Sequence, residues 1–341
     1  MKKDRILLVS HIYSTKSGFV YGPVNVIEGY LNNKKRKYKL IKYSLVSNTP
    51  LLIKSLWETL NTIVVGIKSK ADIFIGIDPL NALAGIILKK IHAIKKTIFY
   101  CVDYTPTRFQ NKLVNYIYLW IDKYCALNSD EVWNVSTRIV ALRKNQGVLR
   151  DKIKFVPNSP SFDACVRLPI SKINRNQIIM VIGQTHSAIV DLVLKSFAEI
   201  SKKIPNLRLK IIGAGKKRLQ KNVEFLGQLE NKKLLKIISK SGVALAIYTF
   251  SKDYSWIYYG DSKKTREYLA SGVPVIITDI VGTSDDIKKY NAGIVIKAKK
   301  DDLVNAIDKL MSDKTFWKKS RNNAIKLGRD FDIDSILDRM L

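Results

Sequence analysis

Cysteine and long apolar runs are both scarce in this chain, and each absence excludes a class of protein. Three cysteines occur among 341 residues, at positions 101, 125 and 165. They are too few and too scattered for a disulfide framework or a cysteine zinc site, which favours a reducing compartment. No apolar run approaches the roughly 18 residues that predict a membrane-spanning helix. The first residues, MKKDRILLVSHIYS, lack a small-residue cleavage site, and we interpret them as the first buried strand of a cytoplasmic protein.

Acidic residues are also few, and their scarcity gives the chain a strong positive charge. Lysine and arginine total 59 against 29 aspartates and glutamates, a net charge of +30. Residues 1–170 hold 27 basic and 11 acidic residues, and the remainder holds 32 and 18, so the excess is not confined to a tail. Such a charge favours anionic partners, namely phosphates, nucleic acid or an acidic membrane surface. A general bias of residue usage toward lysine explains part of it.

Short apolar runs alternate with amphipathic stretches along the whole chain. Nearly continuous apolar runs are typical of strands in a parallel sheet that helices cover on both faces. The alternation therefore predicts an α/β chain of the doubly wound class. In the first half we predict strands at 5–10, 72–77, 97–102 and 152–157, and helices at 23–33, 51–68, 79–92, 111–128 and 136–146, the last capped by Ser136.

The alternation weakens at residues 158–176, where two prolines and several polar residues indicate a linker. We place a first domain at 1–165 and a second at 166–330. Two such domains predict a cleft between them, where ligands bind at the carboxyl ends of strands. In the second domain we predict strands at 177–183, 207–213, 223–227, 243–248, 273–278 and 292–297, helices at 187–204 and 230–240, and two or three helices at the carboxyl end.

The stretch DSKKTREYLASGVPVIIT, residues 261–278, places charged residues in front of a predicted buried strand. A helix that starts near Ser262 has its N-terminus at the cleft end of the sheet, where its N–H groups and dipole favour a phosphate. The lysines that follow add positive charge, and the Glu267 carboxylate can accept hydrogen bonds from sugar hydroxyls. Gly272 is expected to end the helix in the left-handed conformation. The alternative is a solvated charged helix with an ordinary carboxyl-terminal cap.

The run K-x-x-E-Y-L-A-S-G-V-P-V-I-x-T, residues 264–278, resembles the donor-site motif of GT-B glycosyltransferases, particularly glycosyltransferase family 4. The I-I-G-x-G turn at 211–215 and V-E-F-L-G at 223–227 are also similar to that family. The resemblance implies two Rossmann-like domains facing each other across a cleft. It further implies that a last helix, residues 331–341, packs back on the first domain.

The same resemblance implies roles for donor-site residues. Glu267 would bind the nucleotide ribose or the donor sugar, while Lys264 and the helix start at Ser262 would face the diphosphate. Two positions depart from the family pattern: Tyr259 replaces a second glutamate, and GQTHS at 183–187 replaces an expected arginine and lysine. Thr185, His186 or Ser187 is then the candidate for contacting the phosphate instead, although for His186 we favour the alternative of an exposed loop residue.

A glycine-containing loop follows the first predicted strand, at residues 10–26. Glycine permits close approach of a backbone to a ligand. The resemblance places this loop beside the donor diphosphate and the acceptor, with Gly22 as its best match, whereas the alternative is a simple surface loop.

Asp103 lies at the carboxyl end of a predicted strand, in VDYTPTRF at 102–109. Its carboxylate can deprotonate an acceptor hydroxyl, which gives an inverting displacement. Alternatively it only orients the acceptor, and the retaining course typical of family 4 holds, or it is a helix cap or a buried hydrogen-bonding residue. Arg108 is a candidate ligand for an acidic acceptor or a lipid phosphate.

Two further segments bear on a membrane contact. The run NKLVNYIYLWIDKYCAL, residues 111–127, is either an interfacial helix with aromatic residues at the headgroup level or a core helix with a broad apolar face, which we favour. The run NKKRKYK, residues 33–39, is predicted as a solvated loop that can also contact an anionic membrane.

These features together predict a cytoplasmic glycosyltransferase that can lie on the inner face of a membrane. It would move a sugar from a nucleotide-diphosphate sugar to a sugar or lipid-linked acceptor, in assembly of lipid-linked oligosaccharide, lipopolysaccharide or exopolysaccharide. We expect no metal cofactor, because helix dipoles and lysine can stabilise the leaving diphosphate. The alternatives are a sugar-nucleotide epimerase or a basic nucleic-acid-binding protein. No nucleic-acid partner is expected, since the sequence contains no recognisable binding motif for one.

Overall fold

The computed structural model describes residues 4–12, 14–15, 18–19, 22–44, 50–183, 187–213, 218–249 and 256–341. Its contacts divide the chain into two compact units, Met1–Pro157 and Asn158–Leu341, which we call unit 1 and unit 2. The division after residue 157 lies closer to the amino end than the boundary expected after residue 165.

The residues between these two boundaries belong with unit 2 because their backbone is bonded there. The N–H of Asn158 donates to the Asp261 carboxylate at 2.7 Å, and the N–H of Phe162 donates to the Asp332 carboxylate at 2.8 Å. Asp332 also caps the last helix of the chain. The packing of residues 331–341 on the first domain stays a prediction.

Unit 1 is a parallel six-stranded sheet with helices between its strands, and the predicted strands and helices are present. Its strand order is β4-β1-β5-β6-β7-β8, and β2 with β3 forms a separate antiparallel hairpin. In chain order the elements are β1 (Ile6–Ile12), β2 (Ser14–Thr15), β3 (Gly18–Phe19), α1 (Pro23–Asn33), β4 (Tyr38–Ser44), α2 (Leu51–Ser69), β5 (Ile73–Ile77), α3 (Pro79–Lys90), β6 (Lys96–Cys101), α4 (Lys112–Asn128), β7 (Glu131–Asn134), α5 (Thr137–Asn145) and β8 (Ile153–Phe155).

Unit 2 is a second parallel six-stranded sheet, with strand order β11-β10-β9-β12-β13-β14. The doubly wound α/β class is therefore confirmed in both units. After a short 3-10 turn at Ile170–Lys172, the elements are β9 (Asn174–Ile182), α6 (Ser187–Lys203), β10 (Arg208–Gly213), β11 (Val223–Phe225), α7 (Asn231–Ser239), β12 (Ser241–Ala246), α8 (Trp256–Tyr259), α9 (Lys263–Ala270), β13 (Val275–Thr278), α10 (Thr283–Tyr290), β14 (Gly293–Ile296), α11 (Lys300–Ser312), α12 (Lys314–Asp330) and α13 (Ile333–Asp338).

The sequence did not predict the β2–β3 hairpin, β4 or β7. β4 is an edge strand, YKLIKYS, whose two lysines, Lys39 and Lys42, are exposed, and β7 has only four residues. The run 33–39 is accordingly not all loop, because β4 begins at Tyr38 and pairs there with Ile6 of β1.

The core of unit 2 covers both faces of its sheet, which explains the nearly continuous apolar strands. Neighbouring residues of β9 point to opposite faces, so that Ile178 and Met180 pack with Phe197 of α6 while Ile179 packs with Leu269 of α9. Within the described ranges, no helix is long and apolar enough to cross a membrane.

A buried ion pair joins two helices of unit 1. The fully buried Arg143 guanidinium donates to both carboxylate oxygens of Asp122, which is 2% exposed, and to the Sγ of Cys101. Because a buried charge without its partner is costly, this pair fixes α5 against α4.

We predict that Asp122→Ala lowers the free energy of unfolding of unit 1 by about 3–5 kcal/mol, because Arg143 stays buried without a countercharge. Urea denaturation monitored by tryptophan fluorescence measures the change. Lys42→Ala, which removes an exposed ion pair with Glu28, is the matched control and should leave the midpoint unchanged. A wild-type midpoint for Asp122→Ala would refute this role of the pair.

Candidate functional site

The carboxyl edge of the unit 2 sheet has the topology of a ligand site. The strand order reverses between β9 and β12, so the connections that follow these two strands leave on opposite faces. Open α/β sheets bind ligands in the crevice that this reversal creates. β9 ends at this point with Ile182 and Gly183. Thr185 and His186, predicted to contact the donor, lie outside the described residues, and their role stays a prediction.

The amino end of α9 is held at this edge by Ser262. The Ser262 hydroxyl accepts the N–H of Thr265 at 3.3 Å and the hydroxyl of Thr265 at 2.8 Å, and it lies 2.6 Å from the Tyr248 hydroxyl, which follows β12. Since the hydroxyl has these partners within the protein, Ser262 acts as the N-cap. An anion at this edge would therefore meet the N–H groups of the helix N-terminus and not the Ser262 hydroxyl.

Lys264 lies against the end of β9. Its Nζ atom lies so close to Gly183 that a Cβ at that position would be 2.8 Å from it, so a larger residue there would displace the amine. Burial lowers the pKa of Lys264, and the charge of Glu267 opposes this shift. A bound phosphate would supply a second counter-charge to this partly desolvated ammonium.

Glu267 lies one turn further along α9 and is 5% exposed. Its Oε1 lies 3.7 Å from the Lys263 Nζ. Burial raises the pKa of Glu267, opposed by the charges of Lys263 and Lys264, and burial also lowers the pKa of Lys263. Three partly desolvated charged groups at a switch point are typical of a functional site. Here the amines suit a phosphate, and the carboxylate suits a hydroxyl donor.

Arg266, although part of the same charged stretch, points into the protein. Its guanidinium donates to Asp261 at 2.8 Å and to Asp286 at 2.5 Å, and all three side chains are at most 6% exposed. Asp261 also accepts the hydroxyl of Thr283 at 2.6 Å, in addition to the N–H of Asn158. Asp261 was not predicted from the sequence, because its partners Arg266, Thr283 and Asn158 lie 5, 22 and 103 residues away.

The carboxyl end of α9 is fixed as firmly as its start. Gly272 has φ of +73°, and its N–H donates to the carbonyl of Leu269 while the next N–H donates to the carbonyl of Tyr268. This is the Schellman arrangement, so the predicted left-handed cap is confirmed. Arg321 of α12 donates both to the carbonyl of Gly272 and to that of Leu168, the latter at 2.6 Å.

Unit 1 has its own strand reversal, between β1 and β5. Near the carboxyl end of β1, the His11 ring contacts Glu58 through Nε2 at 2.9 Å and Asn81 through Nδ1 at 3.0 Å. His11 was not predicted from the sequence. A histidine near the end of an apolar strand is the signal that could have identified it.

Asp78, which directly follows β5, is a second residue that the sequence analysis missed. Its backbone has φ of +71° and ψ of 158°, a strained conformation for any residue but glycine, and its buried Oδ1 has no hydrogen-bond partner among the described residues. Burial and the charge of Asp103 raise the pKa of Asp78 to about 7, and Arg108 opposes the shift. Strained backbone of this kind cannot be read from sequence, although an aspartate that ends an apolar strand is a usable signal.

The predicted acceptor residues lie beside Asp78. Desolvation by the surrounding protein raises the pKa of Asp103, while the charge of Arg108 lowers it. The Arg108 guanidinium lies 5.9 Å from the centre of the Tyr118 ring. The structure thus brings Asp103 and Arg108 together at the carboxyl edge of the first sheet.

Gly22 precedes the first residue of α1, Pro23, and its N–H donates to the Asn25 side chain at 3.0 Å. Its φ of −120° suits any residue, and a Cβ there would meet nothing within 4 Å. The described protein contacts therefore do not require glycine here, and close approach of a ligand stays a prediction.

Comparisons with known proteins agree with this arrangement. Residues 169–331 match the model of the family Glycosyl transferases group 1. No curated protein sequence matches the chain. The matched region contains all of α9 and the residues that flank it.

Solved structures share the fold over nearly the whole chain. Sucrose-phosphate synthase from Thermosynechococcus elongatus is 14% identical with a TM-score of 0.71, covering 99% of this chain and 98% of that one. HepE from Anabaena, in complex with UDP, is 13% identical with a TM-score of 0.70, covering 98% of both chains. A protein from Listeria monocytogenes described as a UDP-N-acetylglucosamine 2-epimerase is 12% identical with a TM-score of 0.66, covering 99% and 96%.

Identities this low establish the fold alone, whereas the family match, over residues 169–331, supports a glycosyltransferase activity. The GT-B fold and the expected glycosyltransferase domain are both confirmed. Residues 169–331 of unit 2 match a glycosyltransferase domain, and the chain has the fold of GT-B glycosyltransferases.

Proposed function

We propose that this glycosyltransferase moves a sugar from a nucleoside diphosphate sugar to an acceptor hydroxyl. The observation that carries the proposal is the start of α9, where a helix N-terminus, Lys264 and Glu267 lie together at the strand reversal of unit 2. The first two groups suit a diphosphate, and the carboxylate suits a ribose or sugar hydroxyl. The similar HepE structures contain UDP and UDP-glucose, which supports a nucleotide sugar as donor.

The leaving diphosphate is stabilised without a metal in this proposal. Lys263 and Lys264 supply positive charge at a helix N-terminus, where preorganised dipoles and ammonium groups can stabilise developing negative charge. Both amines are already partly desolvated, which strengthens their attraction for a phosphate.

The acceptor would bind at the carboxyl edge of unit 1. We propose that Asp103 orients or deprotonates its hydroxyl and that Arg108 binds an anionic group on it. The net charge of +30 supports an acceptor that is itself anionic or lies on an anionic surface, as in assembly of a lipid-linked or other cell-surface glycan.

An epimerase of nucleotide sugars is the second candidate. The Listeria protein of similar fold is described as one, and this chain has Tyr259 where the family pattern has a second donor-site glutamate. An epimerase acts on its nucleotide sugar without any acceptor.

We predict that Glu267→Ala weakens binding of one nucleoside diphosphate or its sugar by about tenfold or more, because a hydrogen bond to a charged group is lost. Calorimetric titration with UDP, GDP, ADP and CMP, in the absence of metal, measures the change. Glu199→Ala, at an exposed position of α6, is the control and should bind like wild type. If no nucleotide distinguishes the two variants, the α9 site is not the donor site.

A transferase and an epimerase differ in what they do to the donor alone. We expect the nucleotide sugar to stay intact for hours with the enzyme and to be consumed when a competent acceptor is added. Proton NMR follows both reactions. Release of an epimerised sugar or a new nucleotide sugar without acceptor would favour the epimerase and contradict transfer.

Asp78→Asn tests the buried carboxyl of unit 1. The folded pKa of about 7 exceeds the ordinary value of 3.8, so between these pH values the unfolded chain releases a proton that the folded chain keeps. Wild-type stability should therefore fall as pH rises from 4 to 7, by at most about 4 kcal/mol. The variant should gain stability over wild type at pH 8 but not at pH 4, measured by urea denaturation. Asp151→Asn, at an exposed site, should differ from wild type by the same small amount at both pH values. An equal gain at both pH values would contradict the shifted pKa.

A further inference from the structure

α2 leaves a long apolar face in solvent. The exposed side chains are between 49% and 62% accessible and repeat at intervals of three or four residues, so they form one stripe along the helix. They are Ile53, Leu56, Trp57, Leu60, Val64 and Ile67. An exposed apolar stripe of this size is typical of a surface that binds another protein or a membrane.

α4 carries a second stripe. Its inner face is core, with Tyr118, Cys125 and Ala126 buried, so the favoured core interpretation holds only for that face. The outer face exposes large apolar and aromatic side chains. Among them, the Trp120 ring stacks on Tyr124 with 5.5 Å between ring centres. The exposed residues are Leu113, Tyr116, Ile117, Trp120 and Leu127.

The two stripes lie on one side of the first sheet. The connections β4 to β5, β5 to β6 and β6 to β7 all cross the sheet in the same direction, and right-handed crossovers then place α2, α3 and α4 on the same face. α3 packs between the other two. At Gly66 the approach of α2 to α3 is so close that a Cβ would lie 2.4 Å from a Leu88 methyl group. We call the solvent side of these three helices the α2–α4 face.

The charges of the α2–α4 face are all positive. The only acidic residue of α2, Glu58, is 6% exposed and bonded to His11, and the only one of α4, Asp122, is 2% exposed and paired with Arg143. α3 has none. The exposed charged side chains on these helices are lysines, at positions 68, 90, 112 and 123.

We propose that the α2–α4 face docks on an anionic phospholipid membrane, with both helices lying in the interface. Apolar stripes with tryptophan and tyrosine flanked by lysine suit the boundary between headgroups and acyl chains. A second copy of this chain is a poorer occupant, because a symmetric contact would bring the lysine borders of two copies against each other.

Docking would also present the acceptor residues to the lipid surface, a step that rests on the proposed function. The amino end of α4 is tied to the loop that contains Asp103 and Arg108. The Asn115 side chain accepts the N–H of Phe109 at 3.0 Å and donates to the carbonyl of Pro106 at 2.8 Å. A lipid-linked acceptor would therefore reach this loop without leaving the membrane.

Co-sedimentation of the full chain with vesicles, in the absence of donor and acceptor, tests the proposal. The chain should bind vesicles of phosphatidylcholine with phosphatidylglycerol and bind pure phosphatidylcholine much less. Changing Leu56, Trp57 and Leu60 to Gln together, or Tyr116 and Trp120 to Gln together, should weaken binding by about tenfold or more. Leu219→Gln, at an exposed leucine of unit 2, is the matched control and should bind like wild type.

A second readout uses wild type and a conservative variant that keeps an aromatic ring at both positions. Brominated anionic lipids should quench the wild-type fluorescence, and Trp57→Phe with Trp120→Phe should remove most of that quenching. Absence of vesicle binding by wild type would overturn the proposal, as would full binding by either Gln variant. Analytical ultracentrifugation tests the other occupant. If wild type forms a dimer and the α2 variant does not, the α2–α4 face is a dimer interface and the proposal is wrong. Nucleotide binding by the same variants reports separately on the proposed function, so the two can fail independently.

Discussion

The candidate donor site of unit 2 depends on a carboxylate that has no solvent-exposed area. Asp261 accepts hydrogen bonds from the Asn158 backbone, from Thr283 and from Arg266, and Arg266 in turn is paired with Asp286. Buried charges of this kind tolerate little displacement, because a broken pair leaves an uncompensated ion in a medium of low dielectric. The start of α9 is thereby held in one position, which is the condition for a binding site to be preorganised.

Around this rigid frame, the functional candidates are groups whose charge the protein itself only partly compensates. Lys263 and Lys264 have lowered pKa values, Glu267 has a raised one, and Asp78 in unit 1 has a raised one as well. Desolvation is the first cause in every case. Structural ion pairs, such as Asp122 with Arg143, compensate their buried charges with each other. Perturbed pKa values of this kind mark candidate sites, although desolvation also raises the pKa of Asp286, which pairs with Arg266.

Much of the fold could be predicted from the sequence, because buried parallel strands and amphipathic helices have distinct apolar patterns. α1 was predicted with its observed ends, and Ser136 is the N-cap of α5 as expected, accepting the N–H of Ile139. β4 could not be found in this way, since a partly exposed edge strand that follows a lysine-rich run resembles a loop. The site was predicted where it depends on local spacing, as with the start of α9. Asp261 was missed because its partners come from distant positions in the sequence. Asp78 was missed because the feature that distinguishes it is a strained backbone conformation, which the sequence does not show.

α9 is anchored at both of its ends to the same short segment of backbone. Asn158 binds the aspartate that precedes the helix, and Leu168 shares the guanidinium of Arg321 with Gly272, just past its last turn. Asn158 is also the first residue of unit 2 after its covalent junction with unit 1. Displacement of the segment 158–168 relative to α9 would therefore break hydrogen bonds at both ends of the helix.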